Sequence, residues 1–232
     1  MKKQILTLFI FMIFVSGSGA QPMIDSASST NPATDIDGNV YKTVKIGKQV
    51  WMAENLKVTH YRNGDAIPNH SDDQEWDSAT GAYCIYDNDT TNIDIYGMLY
   101  NWFAVNDSRN IAPEGWHVPT DDEWQALVNY LGGDTLAGGK MKSTGTIKDG
   151  DGLWHGANEG ATNESGFTAL PGGYRYNHGV FDSIGSTPYF WSSTESSNGT
   201  AWYRYLYYGN STVYRHDSGW KQAGYSVRCI KD

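Results

Sequence analysis

The residues best suited to bind a ligand are aromatic and polar side chains in the second half of the sequence. Aromatic rings can stack on the C–H faces of sugars, and amides and carboxylates can hydrogen-bond sugar hydroxyls. The candidates for this chemistry are Trp154, Tyr174, Tyr176, Trp202, Tyr203, Tyr205, Tyr207, Asn163, Glu164 and Glu195. Each has a structural alternative, because rings also fill cores and asparagines also form turns.

Hard oxygen donors occur in the acidic stretch DNDTTNIDIYGM. Asp87, Asp89 and Asp94 could supply carboxylates to a calcium ion. The spacing differs from an EF-hand loop, because Asn92 replaces the glycine of the sixth position and Met98 the glutamate of the twelfth. We therefore expect an acidic turn and no required cofactor, with a calcium site as the alternative.

The sequence lacks the short motifs of common enzymes. It contains neither the G-x-S-x-G pattern of serine hydrolases nor the H-E-x-x-H pattern of zinc proteases. Its six histidines are scattered singly. Paired carboxylates of the glycosidase kind cannot be placed in space from sequence spacing. We expect a protein without catalytic activity.

Three consecutive acids in GWHVPTDDEWQALVNYLGG raise the question of a metal or catalytic cluster. Thr120 followed by Glu123 is the pattern of a capping box, in which the two residues satisfy the first amides of a helix. Asp121 and Asp122 occupy the first turn, where the helix dipole favours negative charge. Apolar residues then recur at helical spacing until a Gly-Gly pair. The stretch predicts a helix, which accounts for the acids, and leaves His117 as a packed or solvent-facing residue.

Two hairpins are predicted around the candidate residues. In TVKIGKQVWM, Gly47 stands at the first position of a two-residue turn, where a type II′ turn requires glycine. In AWYRYLYYGNSTVYR, a turn at 209–211 returns the chain. Alternation there separates Trp202 and its partners from Tyr203, Tyr205 and Tyr207, which point to the opposite face.

The N-terminus has the pattern of a secretory signal. Two lysines precede an apolar run, and small residues follow up to Ala20. The apolar run is shorter than the roughly 20 residues that a membrane span needs. We predict a cleaved signal peptide at 1–20, a flexible polar linker at 21–34 and one domain at 35–232. The protein should be exported to the periplasm, the outer surface or the medium, without membrane insertion after cleavage.

Charge and cysteine content limit the partners. Removal of the signal takes away two lysines and no acids, so the net charge of −9 becomes −11. Such a surface repels nucleic acid phosphates, and we expect no nucleic acid partner. In an oxidising compartment Cys84 and Cys229 can form one disulfide, and two buried free thiols are the alternative.

A series of blocks places the chain beside a known family. In order along the chain they are DIDGNVYKTVKIGKQVWMAENLK, GAYCIYDND, YGMLYNW, GWHVPTDDEW, GATNESGFTALPGGYR, FWSSTE, AWYRYLYY and GYSVRCIKD. They resemble the Fibrobacter succinogenes major paralogous domain family over about residues 35–231. Members often have a cysteine where this chain has Ala112. If that cysteine usually pairs with the one in the last strand, Cys229 pairs with Cys84 here or stays free.

The resemblance implies a fold but no activity. The family is grouped with C-type-lectin-like folds and the formylglycine-generating enzymes, so an α+β domain is implied, with a few helices packed on twisted antiparallel strands and long loops. The copper chemistry of those enzymes uses a cysteine pair near the end of the domain, where this chain has Cys229 alone. We expect an exported noncatalytic binding module for a glycan or another cell-surface ligand. The alternative is an adhesin-like structural protein that binds another protein.

Overall fold

A computed structural model describes residues 32–72, 76 and 79–232. The predicted signal peptide and most of the predicted linker lie outside the described residues. In the described part, short helices alternate with several small sheets, so the predicted α+β class is confirmed. No helix within these residues is both long and apolar enough to cross a membrane.

The strands are short and occur along the whole described chain. They are β1 (Ala33–Thr34), β2 (Val40–Tyr41), β3 (Thr43–Ile46), β4 (Gln49–Met52), β5 (Tyr83–Cys84), β6 (Leu99–Tyr100), β7 (Trp116–His117), β8 (Gly172–Arg175), β9 (Phe181–Ile184), β10 (Tyr189–Glu195), β11 (Thr200–Leu206), β12 (Val213–Trp220) and β13 (Ile230–Lys231). The helices are α1 (Ile93–Tyr96), α2 (Trp102–Val105), α3 (Asp121–Tyr130) and α4 (Asp134–Met141), with 3-10 turns at Tyr86–Asn88 and Thr90–Asn92. Because β1 pairs with β2, strand structure begins two residues before the predicted domain start.

A four-stranded antiparallel sheet joins two early strands, β3 and β4, to the last strand, β13. Its order is β3-β4-β13-β7, so β13 is inserted between two strands from earlier in the chain. Trp51 on β4 lies opposite Val44 on one side and Ile230 on the other. The predicted β3–β4 hairpin is confirmed, and Gly47 has a φ of 61°, as the first position of a type II′ turn requires.

Helix α3 begins at the predicted capping box. The Thr120 side chain accepts a hydrogen bond from the Glu123 amide, and a Glu123 carboxylate oxygen accepts one from the Thr120 amide at 2.8 Å. The helix buries Trp124, Leu127 and Val128. It ends where the sequence predicts, and α4 begins directly after Gly133.

The three-stranded antiparallel sheet β10-β11-β12 contains most of the aromatic strand residues. The predicted hairpin of β11 and β12 is confirmed, with Leu206 opposite Val213. Strand β8 approaches the far side of β10 through a parallel bridge between Gly173 and Pro188. The faces of this sheet therefore extend from β12 across β10 to β8.

A buried lysine, Lys142, anchors the long irregular connection between α4 and β8. The Lys142 ammonium donates hydrogen bonds to the carbonyls of Glu159, Tyr207 and Asn210 at 2.8–3.2 Å. Burial lowers the pKa of this lysine to about 8. Three acceptors from two segments tie the connection to the end of the β11–β12 hairpin, since a buried ammonium is costly unless its protons are bonded.

The two cysteines are not joined in a disulfide. Cys84 is buried in a small cluster with Trp76 and Leu99, whereas Cys229 belongs to a different, larger core cluster. The predicted alternative of two buried free thiols is therefore what the structure contains. Burial raises the pKa of Cys84 to about 12 and also raises that of Cys229, so neither is a reactive thiolate at neutral pH.

Candidate ligand-binding site

A row of tyrosines runs across the β10-β11-β12 sheet. Tyr189 lies opposite Tyr205, which lies opposite Tyr214 on the edge strand. The ring centroids of Tyr189 and Tyr205 are 5.2 Å apart and those of Tyr205 and Tyr214 are 4.5 Å apart, with interplanar angles of 23° and 5°. Rings this close and this parallel must overlap face to face, because rings side by side in one plane would be further apart. Both faces of Tyr205 are thus covered by its neighbours.

This stacking determines which atoms the row offers to solvent. Side chains stand roughly perpendicular to a sheet, so stacked phenol rings present their edges and their hydroxyl tips outwards. The Tyr214 hydroxyl accepts a hydrogen bond from Asn210 Nδ2 at 2.9 Å. Flat stacking of a sugar on Tyr205, which the sequence suggested, has no free ring face to use.

A second row lies beside the first on the same face. Trp191, Tyr203 and His216 are cross-strand neighbours, each two residues along its strand from a member of the tyrosine row. Tyr203 stacks on His216 with 5.5 Å between centroids, while Trp191 meets Tyr203 edge to face at 6.4 Å. The row is buried at Trp191 and half-buried at its other two members.

Buried rings support both rows from within the core. Tyr225 lies 4.2 Å from Trp191 and 5.1 Å from Tyr189, between ring centroids. Tyr174, on β8, lies 4.4 Å from Tyr189. Because these neighbours hold the rings in place, binding at this face would order few side chains, which lowers the entropic cost of association.

The turn after β8 extends the array. The Tyr176 ring lies 4.6 Å from Tyr174 and stacks on His178 at 4.9 Å and 10°. Both residues are exposed. We use the term aromatic face for the accessible rings of both rows and this turn, namely Tyr176, His178, Tyr189, Tyr203, Tyr205, Tyr214 and His216.

The electrostatics of the aromatic face favour uncharged partners. Burial raises the pKa of Tyr189, and the neighbouring tyrosines and Asp182 raise it further. Burial likewise raises the pKa of Tyr203, with added contributions from Tyr205 and Asp217. These phenols remain protonated at neutral pH and can donate hydrogen bonds, while the acids beside them disfavour anionic ligands.

Two of the predicted binding residues are core residues instead. Trp154 is fully buried, and its indole nitrogen donates to Ser143 Oγ at 2.8 Å. Tyr174 is 8% exposed and supports Tyr176 and Tyr189. Sequence alone could not separate these roles, because the residues around a tryptophan in a glycine-rich segment do not indicate whether its ring is buried or exposed.

Trp202 and Tyr207 do not belong to the aromatic ring series. Arg215 covers the Trp202 ring at 4.2 Å and also contacts Asp121, which places this ring on the α3 side of the hairpin. Tyr207, beyond the end of β11, packs at 4.4 Å on Tyr208. Of the predicted aromatic candidates, Tyr176, Tyr203 and Tyr205 belong to the aromatic face, and buried Tyr174 links Tyr176 to Tyr189.

The predicted polar candidates have structural partners. Asn163 accepts a hydrogen bond from the Thr168 amide at 2.9 Å and so closes a turn. Glu164 pairs with Lys140 at 3.0 Å. Glu195 forms an ion pair with the nearly buried Lys221.

Those partners explain the polar candidates without a ligand. None of these contacts involves the aromatic face.

The acidic stretch does not gather its carboxylates. Asp89 accepts hydrogen bonds from the Thr91 amide and hydroxyl, which caps the following 3-10 turn. Asp94 pairs with Lys57 at 3.1 Å, and Asp87 adopts a positive φ of 52°. Throughout residues 32–72, 76 and 79–232, no three His, Cys, Asp or Glu side chains are grouped to hold a metal ion.

One cluster resembles a catalytic arrangement but has the wrong connectivity. Asp37 Oδ1 lies 2.6 Å from His60 Nδ1, and Thr59 Oγ1 lies 3.0 Å from the same nitrogen. In a nucleophile–base pair the hydroxyl and the orienting acid contact opposite ring nitrogens. Thr59 also donates to Asp37 Oδ2 at 2.8 Å, so its proton already has an acceptor.

Sequence reasoning missed four members of the aromatic face, Tyr189, Tyr214, His216 and His178. The hairpin turn gave a usable signal for two of them, because pairing across a turn at 209–211 brings Tyr214 and His216 beside the β11 tyrosines. Tyr189 joins through the pairing of the consecutive strands β10 and β11, whereas His178 joins because β8 lies beside β10 with β9 between them in sequence. No local pattern specifies the second contact.

Comparison with known proteins identifies the class of domain. The family model of the Fibrobacter succinogenes major domain matches residues 44–231 of the sequence. Neither a curated protein nor a solved structure gives a significant match to the chain. The matched range contains all of the aromatic face and all of the four-stranded sheet except Thr43.

Proposed function

We propose that this chain, which belongs to the Fibrobacter succinogenes major domain family, is an exported noncatalytic module that binds carbohydrate through its aromatic face. The observation that carries the proposal is the array of accessible tyrosine and histidine rings on one sheet face. Tyrosine combines an apolar ring with a hydrogen-bonding hydroxyl and loses little side-chain entropy on binding. Sugars need both kinds of contact.

The charge of the protein supports an uncharged ligand. The whole chain carries a net charge of −9, and Asp182 and Asp217 act electrostatically on rings of the aromatic face. Nucleic acids and acidic surfaces would be repelled. Neutral glycans bring hydroxyl groups without a charge to accommodate.

A C-type-lectin-like arrangement is the finer proposal for the fold. It is supported by the order of small antiparallel sheets joined by long irregular segments, together with the insertion of the last strand between earlier ones. Binding independent of calcium is part of the proposal, because Asp89 and Asp94 already serve a turn and an ion pair.

The absence of catalysis is also a proposal. It is supported by the connectivity at His60, where Asp37 and Thr59 share one ring nitrogen. A preparation that binds a glycan should leave it intact on prolonged incubation, as measured by chromatography of the released sugars. Steady release of reducing ends would contradict this.

The test is a binding screen on the protein without its first 20 residues. Soluble glycans and insoluble polysaccharides are presented with calcium and with a chelator. The variants Tyr205→Ala and Tyr214→Ala should weaken binding to the glycan that is retained, and the chelator should have no effect. Tyr130→Ala is the matched control, because Tyr130 is 50% exposed on α3, away from the aromatic face.

Two outcomes would redirect the proposal. Loss of binding with chelator would make the acidic stretch a metal site after all. Failure to retain any glycan would remove carbohydrate as the ligand and favour the adhesin-like alternative, in which the same rings contact a protein. Aromatic residues are enriched in protein interfaces as well as in sugar sites.

A further inference from the structure

The rings along the aromatic face follow one another at nearly regular centroid distances. From β12 towards β8 the rings Tyr214, Tyr205, Tyr189 and Tyr174 follow each other at centroid distances of 4.5, 5.2 and 4.4 Å. Tyr176 and His178 continue the series at 4.6 and 4.9 Å. The first three intervals arise because Tyr214, Tyr205, Tyr189 and Tyr174 stand on neighbouring strands, which lie about 4.7–4.9 Å apart. Tyr176 and His178 follow Tyr174 along the chain, in the turn after β8.

The orientation of the rings decides what a ligand can contact. Tyr205 has a ring on each side, so its hydroxyl and ring edge remain for contact. The rings at the two ends of the series, Tyr214 and His178, each have one ring neighbour within the described chain. Flat stacking is therefore restricted to the ends, and hydrogen bonding dominates between them.

We propose that the ligand is an extended, uncharged polysaccharide that lies across the strands and is bound by successive tyrosine hydroxyls of the aromatic face. This inference rests on the proposed function and specifies its substrate class. Successive sugar rings of an extended chain follow each other at a similar interval, so one chain can meet Tyr214, Tyr205 and Tyr189 in turn. Tyr176 and His178 then contact the other end of the polysaccharide.

Charged polysaccharides and monosaccharides do not suit this mode of binding. Asp182 lies opposite Tyr174 on β9 and Asp217 follows His216 on β12, so their carboxylates disfavour polymers of uronic acids or sulfated sugars. A monosaccharide meets a single hydroxyl of the row and gains little. Added sugar units meet further rings until the chain covers the five accessible rings of the series, with buried Tyr174 between Tyr189 and Tyr176.

The decisive variants are Tyr189→Phe and Tyr205→Phe in the protein without its first 20 residues. Phenylalanine keeps the ring and its stacking but removes the hydroxyl. Each change should weaken binding of a long neutral oligosaccharide by about 2- to 10-fold, the range for one hydrogen bond. Tyr130→Phe, on α3, is the control and should bind like the parent. Near-ultraviolet circular dichroism of each variant verifies that the ring stack is retained.

A length series supplies the second measurement. Calorimetry with β-1,4-linked gluco-, xylo- and manno-oligosaccharides, from disaccharide to hexasaccharide, should show affinity that rises with length and then levels off. Polygalacturonate is the charged comparison and should bind much more weakly than the neutral chains.

The outcomes separate this inference from the proposed function. If glycans bind but both Phe variants bind like the parent, the tyrosine hydroxyls do not bind the polysaccharide. The inference then fails, while carbohydrate binding stands. Disaccharides that bind as tightly as hexasaccharides would overturn the extended-chain ligand alone. If no glycan binds at any length, both the proposed function and this inference fail.

Discussion

Asp121 joins helix α3 to the β11–β12 hairpin. Its carboxylate is buried and accepts hydrogen bonds from the buried guanidinium of Arg204, and Arg215 Nε donates to it at 3.1 Å. At the sequence level the acid was explained by the helix dipole alone. The structure gives it a second role, because it compensates a charge that would otherwise be buried without a partner.

Replacement of Asp121 should be far more damaging than replacement of its neighbour. Asp121→Ala leaves Arg204 buried and unpaired, so we expect the free energy of unfolding to fall by about 3–5 kcal/mol. Asp122→Ala is the control, because Asp122 is exposed and loses only a dipole contribution of about 0.3–1 kcal/mol. Urea denaturation of both variants measures the difference, and equal losses would contradict the role assigned to Asp121.

His117 gives the protein a pH-dependent contact. Its Nδ1 lies 2.6 Å from an Asp232 oxygen and its Nε2 lies 2.9 Å from a Glu123 oxygen. Partial burial opposes the charged form, but the hydrogen bonds to Asp232 and Glu123 outweigh it and raise the pKa of His117. A raised pKa in the folded state means that the charged ring stabilises the fold.

The contribution of His117 to the stability of the fold should decrease as pH rises. The stabilisation by His117 should be complete below its ordinary pKa of 6.5 and should be lost as pH rises through the raised value. Because the partners are partly exposed, the effect should not exceed about 1 kcal/mol. We expect the unfolding free energies of the parent and His117→Gln to differ at pH 5.5 and to converge at pH 9. A gap that widens with pH would refute the assignment.

Helix α4 packs its backbone directly on the β11–β12 turn. A Cβ atom on Gly138 would lie 2.7 Å from the Ser211 carbonyl oxygen and 2.8 Å from that of Thr212. Alanine is normally the better helix residue by about 0.5–1 kcal/mol. Here the close approach of two backbones reverses that preference.

Gly138→Ala should therefore destabilise the protein by about 1–3 kcal/mol, the usual cost of overpacking. The matched control is Leu136→Ala on the same helix, because Leu136 is 55% exposed and its truncation should change stability little. Thermal unfolding of both proteins is the measurement. If Gly138→Ala raises the midpoint, the approach of α4 to the turn is looser than described.

The elements that the sequence predicts correctly are those with local signals. Helix α3 has its capping box, and the β3–β4 turn has a glycine with positive φ. The β11–β12 hairpin shows alternation and a short turn. The burial of Trp154 and the separation of Cys84 from Cys229 depend on packing between distant segments. Neither residue type nor spacing contains that information.

At the scale of the whole molecule, the candidate site forms by convergence of four strands. β8, β10, β11 and β12 each contribute one ring to the regular series. Tyr205 can be recognised from the sequence because it lies in an aromatic-rich strand. The stack cannot, since it is a property of the register between strands. For this reason the sequence suggests sugar stacking on Tyr205, whereas the structure leaves its hydroxyl and ring edge for contact.

Export is a prediction for the whole chain that rests on the N-terminal pattern. Expression with all 232 residues in a host with a secretory pathway should yield a mature protein that begins at Gln21. N-terminal sequencing of the purified product checks the site. A product that keeps Met1 and stays in the cytoplasm would show that 1–20 is not a signal peptide.

The stacked phenols also give the protein an intrinsic optical label. Aromatic chromophores held rigidly at 4.5–5.2 Å couple their electronic transitions, so the Tyr189, Tyr205 and Tyr214 stack should produce a strong dichroic signal in the tyrosine band. Trp191, 6.4 Å from Tyr203, is close enough to collect their excitation and emit it as indole fluorescence. A ligand that settles on these rings should perturb both signals, so occupancy can be followed in unmodified protein.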